Sequence, residues 1–510
     1  MLSILKSAAV QGIHGYSVDV EVDLSSGLPV FKIGGLPDTA INESKERVRT
    51  AIINSGYAFP IKHITVNLAP ADQKKEGVAF DLAIALGILK SAMLIRETDL
   101  EDYVILGELS LDGSVRGVNG VLSMVHHAHT IGIKKCFVPY ENKDEAALIA
   151  GIEIYPVKHL KELIAHIENR AKISPYEMDI HAIFQQNIAS DLLDFSHVKG
   201  QEQCKRAIEI AAAGGHNFLM IGPPGSGKTM LAKRLPTIMP DLTFNESLEI
   251  TKIYSVAGAL KSKSALVSTR PFRSPHHTIS PSALTGGGRV PRPGEISLAH
   301  NGILFLDELP EFQRSALEVM RQPLEDKEVT ISRVNGTLTF PSNFMLISAM
   351  NPCPCGYLGS GARCQCSSND ILNYQKRISG PLLDRIDIMT EMPAVTYEDL
   401  QLSEAGESSK DIKKRVVTAH EIQLERYKND NIYFNAQINA SQVEKYCKLD
   451  DACQLLLRNA FDRMNLSARA YHKILKVART IADLAGEEDI SAYHLGEAMQ
   501  YRSLDRKFML

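Results

Sequence analysis

Eight consecutive residues constrain this chain more than any others: Gly222-Pro223-Pro224-Gly225-Ser226-Gly227-Lys228-Thr229. The apolar run Asn217-Phe218-Leu219-Met220-Ile221 precedes them and Met230-Leu231-Ala232-Lys233-Arg234-Leu235 follows. The pattern predicts a buried strand, a glycine-rich turn and a helix. Glycines let backbone N–H groups converge on phosphate oxygens without a Cβ in the way, and the helix N-terminus adds positive dipole. Lys228 then neutralises the β- and γ-phosphates, and the Thr229 hydroxyl ligates Mg²⁺. A chance glycine turn would not bring the matching strand and helix with it. An α/β nucleotide-binding fold with ATP and Mg²⁺ as cofactors follows.

A second run, Gly302-Ile303-Leu304-Phe305-Leu306-Asp307-Glu308, predicts another buried strand, ending in two acids. Asp307 there holds Mg²⁺ through water, and Glu308 polarises the attacking water. Strand-end solubility alone would also place acids here, but not at this distance behind a phosphate loop. The chain reads as an ATPase.

At 510 residues the chain has room for about three domains of roughly 150 residues. No apolar run reaches the ~18 residues of a membrane span. The opening MLSILKSAAVQGIHGY turns polar too early for a signal peptide, so a cytoplasmic protein is expected, with no membrane partner. The formal charge of −4 argues against a broadly basic surface, so any nucleic-acid contact is local, as in a channel. Of the eight cysteines, Cys136, Cys204, Cys447 and Cys453 are scattered and read as core residues. Cys353, Cys355, Cys364 and Cys366 are crowded into one short stretch, which in a cytoplasmic chain favours metal over disulfide. Four thiolates suit tetrahedral Zn²⁺, although the spacing is C-x-C rather than C-x₂-C; unliganded loop thiols are the alternative.

Residues 1–166 form a first unit. Alternation at Tyr16–Val22 and His63–Leu68 predicts strands, and Ala79–Lys90 and Leu122–Ile131 predict helices. Residues 167–190 read as a linker, 191–394 as the nucleotide-binding core and 395–510 as a mostly helical lid. The stretch 402–412 is polar and reads as a mobile loop. Val329–Arg333, a turn at Asn335-Gly336, and Thr337–Phe340 predict a β-hairpin.

The phosphate loop, the acidic strand end and the later arginines together resemble the AAA+ ATPases, and within them the magnesium-chelatase-like YifB/ComM family, over nearly the whole chain. The most specific segment runs from Pro271-Phe272-Arg273-Ser274-Pro275-His276-His277-Thr278 through Pro291-Arg292-Pro293-Gly294-Glu295-Ile296-Ser297-Leu298-Ala299-His300. It is similar to the helix-2 insert of that branch. The resemblance implies an AAA+ core with a helical lid. It makes Asn351 the sensor-1 residue, Arg385 the arginine finger reaching a neighbour's ATP, with Arg377 a second candidate, and Arg469 the sensor-2 residue. A finger supplied in trans implies a homo-hexameric ring. The hairpin corresponds to the pore hairpin of related motors, which makes Arg333, with Arg273, Arg289 and Arg292 of the insert, the expected contacts to DNA phosphates. The residues alone leave a second use open for these arginines, pairing with acids at subunit boundaries. The implied activity is a helicase promoting branch migration during natural transformation and recombination, acting on single-stranded and branched DNA. A chelatase-type protein remodeller and a nucleotide-switched scaffold are the alternatives.

The first unit resembles the catalytic domain of Lon protease, a ribosomal-S5-like α+β fold, at Gly107–Gly113 and Gly132–Pro139. Lon proteolysis uses a serine activated by a lysine. Here the aligned positions carry Ala79 and Leu122, so the resemblance implies a domain without protease activity.

Overall fold

The computed structural model describes residues 2–96, 100–179, 184, 193–260, 265–288, 291–333, 336–359, 364–394, 406–430, 432–464 and 466–504. The chain divides into two compact units, Met1–Asn187 with Phe244–Ser268, and Ile188–Thr243 with Thr269–Leu510. No helix among the described residues is long and apolar enough to cross a membrane.

The first unit is built on a seven-stranded sheet: β1 (Leu2–Gln11), β2 (His14–Ser25), β3 (Val30–Gly34), β4 (His63–Ala69), β5 (Tyr103–Ile105), β6 (Lys135–Pro139) and β7 (Glu153–Val157). Its order is β3-β4-β2-β1-β5-β6-β7. β2 pairs antiparallel with both β1 and β4; the other neighbours are parallel. The alternation that predicts strands is the alternation that is buried: Val18, Val20, Val22 and Leu24 on β2, and Ile64, Val66 and Leu68 on β4. Helices α1 (Thr39–Asn54), α2 (Asp81–Ser91), α3 (Val121–Thr130) and α4 (Leu160–Ile167) accompany the sheet. α2 is apolar on nearly every face and buried along its length, as an all-round apolar helix must be. It comes so close to the sheet that a Cβ on Gly87 would stand 2.6 Å from Val22 Cγ2. Its first residue, Asp81, is buried; burial pushes its carboxyl up to about 6, against the pull of Arg47 at 2.9 Å.

Residues 244–268 were expected with the nucleotide-binding core. They belong instead to the first unit, where α7 (Phe244–Ala257) packs against α3 and Leu266 joins the core containing Val121, Leu122 and Val125. A buried carboxylate fastens the join. Glu145 accepts from the Leu122 N–H at 2.8 Å, from the Asn142 amide at 3.1 Å and from the Ser255 hydroxyl. The three-to-four-residue apolar spacing of a helix says that it has an apolar face, not which core receives it.

The second unit carries five parallel strands, β8 (Phe218–Ile221), β9 (Phe272–Arg273), β10 (Ile303–Leu306), β13 (Met345–Met350) and β14 (Ile388–Glu391), in the order β9-β10-β13-β8-β14. Between β10 and β13 lies the antiparallel hairpin β11 (Glu328–Arg333) and β12 (Gly336–Pro341). α5 (Glu202–Gly214), α6 (Lys228–Arg234), α8 (Arg321–Asp326) and α9 (Ser368–Gln375) belong to this part of the chain. After β14 the described residues hold α10 (Ser409–Tyr427), α11 (Ala440–Tyr446), α12 (Asp451–Met464), α13 (Ala468–Ala485) and α14 (Ala492–Gln500). Their apolar faces share one core with α5 and β8. α10 begins inside the polar stretch 402–412, capped by the Ser408 side chain, which accepts from the Asp411 N–H. Part of that stretch, 402–405, lies outside the described residues.

Candidate active site

β8 is buried at all four positions and delivers the chain to Gly222 just past the C-terminal ends of the parallel strands. Gly225 and Gly227 then adopt φ values of +80° and +92°. A Cβ at either would meet nothing within 4 Å, so backbone conformation rather than crowding requires glycine there. At Gly222 crowding decides: a Cβ would stand 2.6 Å from the Met392 carbonyl oxygen.

Lys228, the first residue of α6, is only 8% exposed, and burial holds its ammonium below the usual lysine range. Its Nζ donates to the Gly222 carbonyl at 2.6 Å, the Pro223 carbonyl at 2.9 Å and Asn351 Oδ1 at 3.3 Å. The Thr229 hydroxyl donates to Asp307 Oδ2 at 2.6 Å. Lys228, Thr229, Asp307 and Asn351 are thus drawn together from α6 and from the ends of β10 and β13. The residues expected to hold Mg²⁺ touch each other. An ammonium donating to three oxygens at a helix N-terminus, beside a hydroxyl–carboxylate pair, suits a polyphosphate carrying a divalent metal.

Glu308 follows Asp307 with φ +54°, a left-handed backbone unusual for a non-glycine residue. Its side chain is largely exposed, and Oε2 lies 3.3 Å from His277 Nδ1. Reading the sequence alone did not single out His277. Its ring packs on that of His276, 4.1 Å between centroids, and a histidine pair within a proline-rich stretch carries no motif of its own.

The expected arginines are engaged within this chain. Arg385 is mostly buried, pairs with Glu325 at the end of α8 and donates to the Pro381 carbonyl at 2.5 Å. Arg377 pairs with Glu311 at 2.9 Å. Arg469, at the start of α13, is exposed and lies 3.9 Å from Asp384. Of the residues expected at DNA, Arg273 grips Glu295 with two bonds of 2.6 and 2.7 Å. Arg292 is exposed. Arg333 pairs with Gly336 at the end of the hairpin, but its side chain, and Arg289 entirely, lie outside the described residues.

The four clustered cysteines converge. Cys353 Sγ lies 3.4 Å from Cys355 Sγ and 3.8 Å from Cys364 Sγ, and Cys355 and Cys364 are 3.7 Å apart. All four sulfurs, Cys366 included, fall within 4.8 Å of one another. Tetrahedral Zn²⁺ with Zn–S bonds of ~2.3 Å spaces its sulfurs by about 3.8 Å, so the donor set fits that ion.

Three family models match the chain: magnesium chelatase, subunit ChlI, over residues 194–400; subunit ChlI of Mg-chelatase over 20–142; and the ChlI C-terminal model over 406–502. Among relatives, the protein YifB of Salmonella typhimurium is 44% identical over 99% of this chain and 98% of its own length. YifB of Escherichia coli is 43% identical over the same shares. The competence protein ComM of Haemophilus influenzae is 42% identical over 99% and 98%. With a phosphate loop, an acidic strand end and these full-length likenesses, the chain belongs to the YifB/ComM family of magnesium-chelatase-like proteins.

Proposed function

We propose that the protein is an ATP-hydrolysing, ring-forming DNA motor that drives branch migration. The observation that carries the ATPase part is the convergence of Lys228, Thr229, Asp307 and Asn351 on one helix N-terminus. Lys228 leaves the loop carbonyls for the β- and γ-phosphate oxygens, whose charge binds it better than neutral acceptors do. Thr229 and Asp307 would hold Mg²⁺, which would supply positive charge against that of the polyphosphate. Asn351 orients the γ-phosphate. Glu308 takes its place beside the attacking water; the new bond forms from water oxygen to the γ-phosphorus, the bond to the β–γ bridging oxygen breaks, and ADP and phosphate leave. Arg385 serves a neighbouring subunit's γ-phosphate, which requires it to exchange Glu325 for that anion.

The DNA part rests on the likeness to ComM, whose name places it in competence, and on the hairpin β11–β12. The chelatase models favour a second reading, a protein remodeller of the chelatase type. Stimulation separates the two: DNA accelerates the motor, a protein partner the remodeller. The direct test is ATP-dependent unwinding of a branched DNA by the purified protein. Turnover without unwinding, and without stimulation by any DNA, would leave the ATPase reading standing and remove the motor.

A further inference from the structure

The segment from Asn351 to α9 is short of apolar residues, yet it carries the cysteine cluster between two parts of the nucleotide site. Cys353 and Cys355 follow Asn351 by two and four positions; Cys366 is followed at once by Ser367, which caps α9 in a reciprocal pair with Asp370. A metal shared by the four sulfurs would therefore clamp the exit of β13 to the entry of α9.

That clamp touches the phosphate loop. Gly356, bonded through its N–H to the Cys353 carbonyl at 2.9 Å, lies with φ +85° against Pro224. A Cβ on Gly356 would stand 2.6 Å from Pro224 Cδ and 3.7 Å from Asn351 Cγ. On the other side of the clamp, Tyr374 of α9 is 5% exposed and its hydroxyl faces the Asn351 main chain. Asn351 in turn accepts from Lys228. Contact thus runs from the cysteines through Gly356 to the phosphate loop, and through Asn351 to its lysine.

We infer that the four-cysteine knot is a metal-dependent brace for the phosphate loop, so that Zn²⁺ occupancy sets nucleotide affinity. The inference rests on the ATP-site reading above. The described part of this loop offers few apolar side chains to bury besides Cys353, so metal ligation would supply a cross-link that packing does not. Because coupling between two sites is reciprocal, nucleotide must tighten the hold on zinc by the factor by which zinc tightens the hold on nucleotide.

The test uses the full-length protein. Zinc content is measured by elemental analysis, nucleotide affinity with a fluorescent ATP analogue, and zinc affinity by titration against a competing chelator. Zinc-loaded protein is expected to carry one ion per chain, and its removal to weaken analogue binding about tenfold, reversed by added Zn²⁺. Saturating ATP is expected to raise zinc affinity by that same factor. Cys364→Ser should lose zinc and nucleotide affinity together. Gly356→Ala should keep its zinc and still bind nucleotide more weakly, because the added methyl pushes on Pro224. Circular dichroism of each variant checks that the rest of the chain stays folded.

Metal-free protein that binds the analogue as tightly as zinc-loaded protein overturns the brace. So does a folded Gly356→Ala with parental affinity. Protein that never takes up zinc, yet binds nucleotide, overturns the metal assignment and leaves the ATP site intact. Zinc-loaded protein that binds no nucleotide overturns the ATP-site reading itself.

Discussion

Two places in the molecule treat a buried position in opposite ways. In the first unit, the positions where the Lon resemblance would put a nucleophile and a base hold Ala79 and Leu122, both buried in one apolar core. The Ala79 carbonyl accepts from the Gly107 N–H at 2.9 Å, an ordinary packing contact. In the second unit, Lys228 is nearly as buried as Ala79, yet it stays a lysine, with carbonyls and Asn351 around its ammonium. Filling a buried position with hydrocarbon stabilises a fold; keeping a charge there costs desolvation. A buried polar cluster that persists beside a mouth of backbone N–H groups marks a site in use.

The contrast can be broken or sharpened by substitution. The largest effect belongs to Glu308→Gln. Turnover should fall about 10³-fold while ATP binding is kept, since water activation alone is lost. Single-turnover hydrolysis together with analogue binding checks it, and unchanged turnover would take Glu308 out of the mechanism. Next comes Leu122→Lys, alone or with Ala79→Ser. It should create no protease and should destabilise the protein by about 3 kcal/mol, because the new ammonium enters an apolar core whose one nearby carboxylate, Glu145, is already bonded to the Leu122 N–H, Asn142 and Ser255. A denaturant melt and a casein digest decide it; proteolysis would mean that the first unit still holds a competent site. Lys228→Ala should weaken ATP binding about 100-fold, the loss of a charged donor to phosphate, with the melt little changed. Equal affinity in variant and parent would erase the contrast. The smallest effect is that of Arg333→Ala, which should lower the slope of log affinity for DNA against log salt by about one and leave DNA-free turnover alone. An unchanged slope would take that residue off the DNA path.

The phosphate loop could be read directly because its glycines answer a backbone requirement, and left-handed φ at Gly225 and Gly227 is local enough to be encoded in eight residues. The strands at 16–22 and 63–68 were legible for a similar reason: period two shows which face is buried. The cysteine cluster was legible as composition. What stayed hidden depends on distant partners. Nothing in Arg273 announces Glu295, twenty-two positions on, and nothing in Arg385 announces Glu325. His277 gains meaning only from the fold, which brings the end of β10 to it. The membership of α7 in the first unit rests on Leu266 and Ser255 meeting residues over a hundred positions away.

That membership bears on how such a chain can be divided or inherited. The first unit is not a contiguous module; it is complete only when Phe244–Ser268 is returned to it from beyond the phosphate loop. Cutting after Asn187 would strip Leu266 from its core and leave the buried Glu145 carboxylate without the Ser255 hydroxyl. No single recombination point can lend this unit to another protein or remove it from this one. A change on the apolar side of α7 would have to be answered around α3, in a different unit from the nucleotide site that encloses it in sequence.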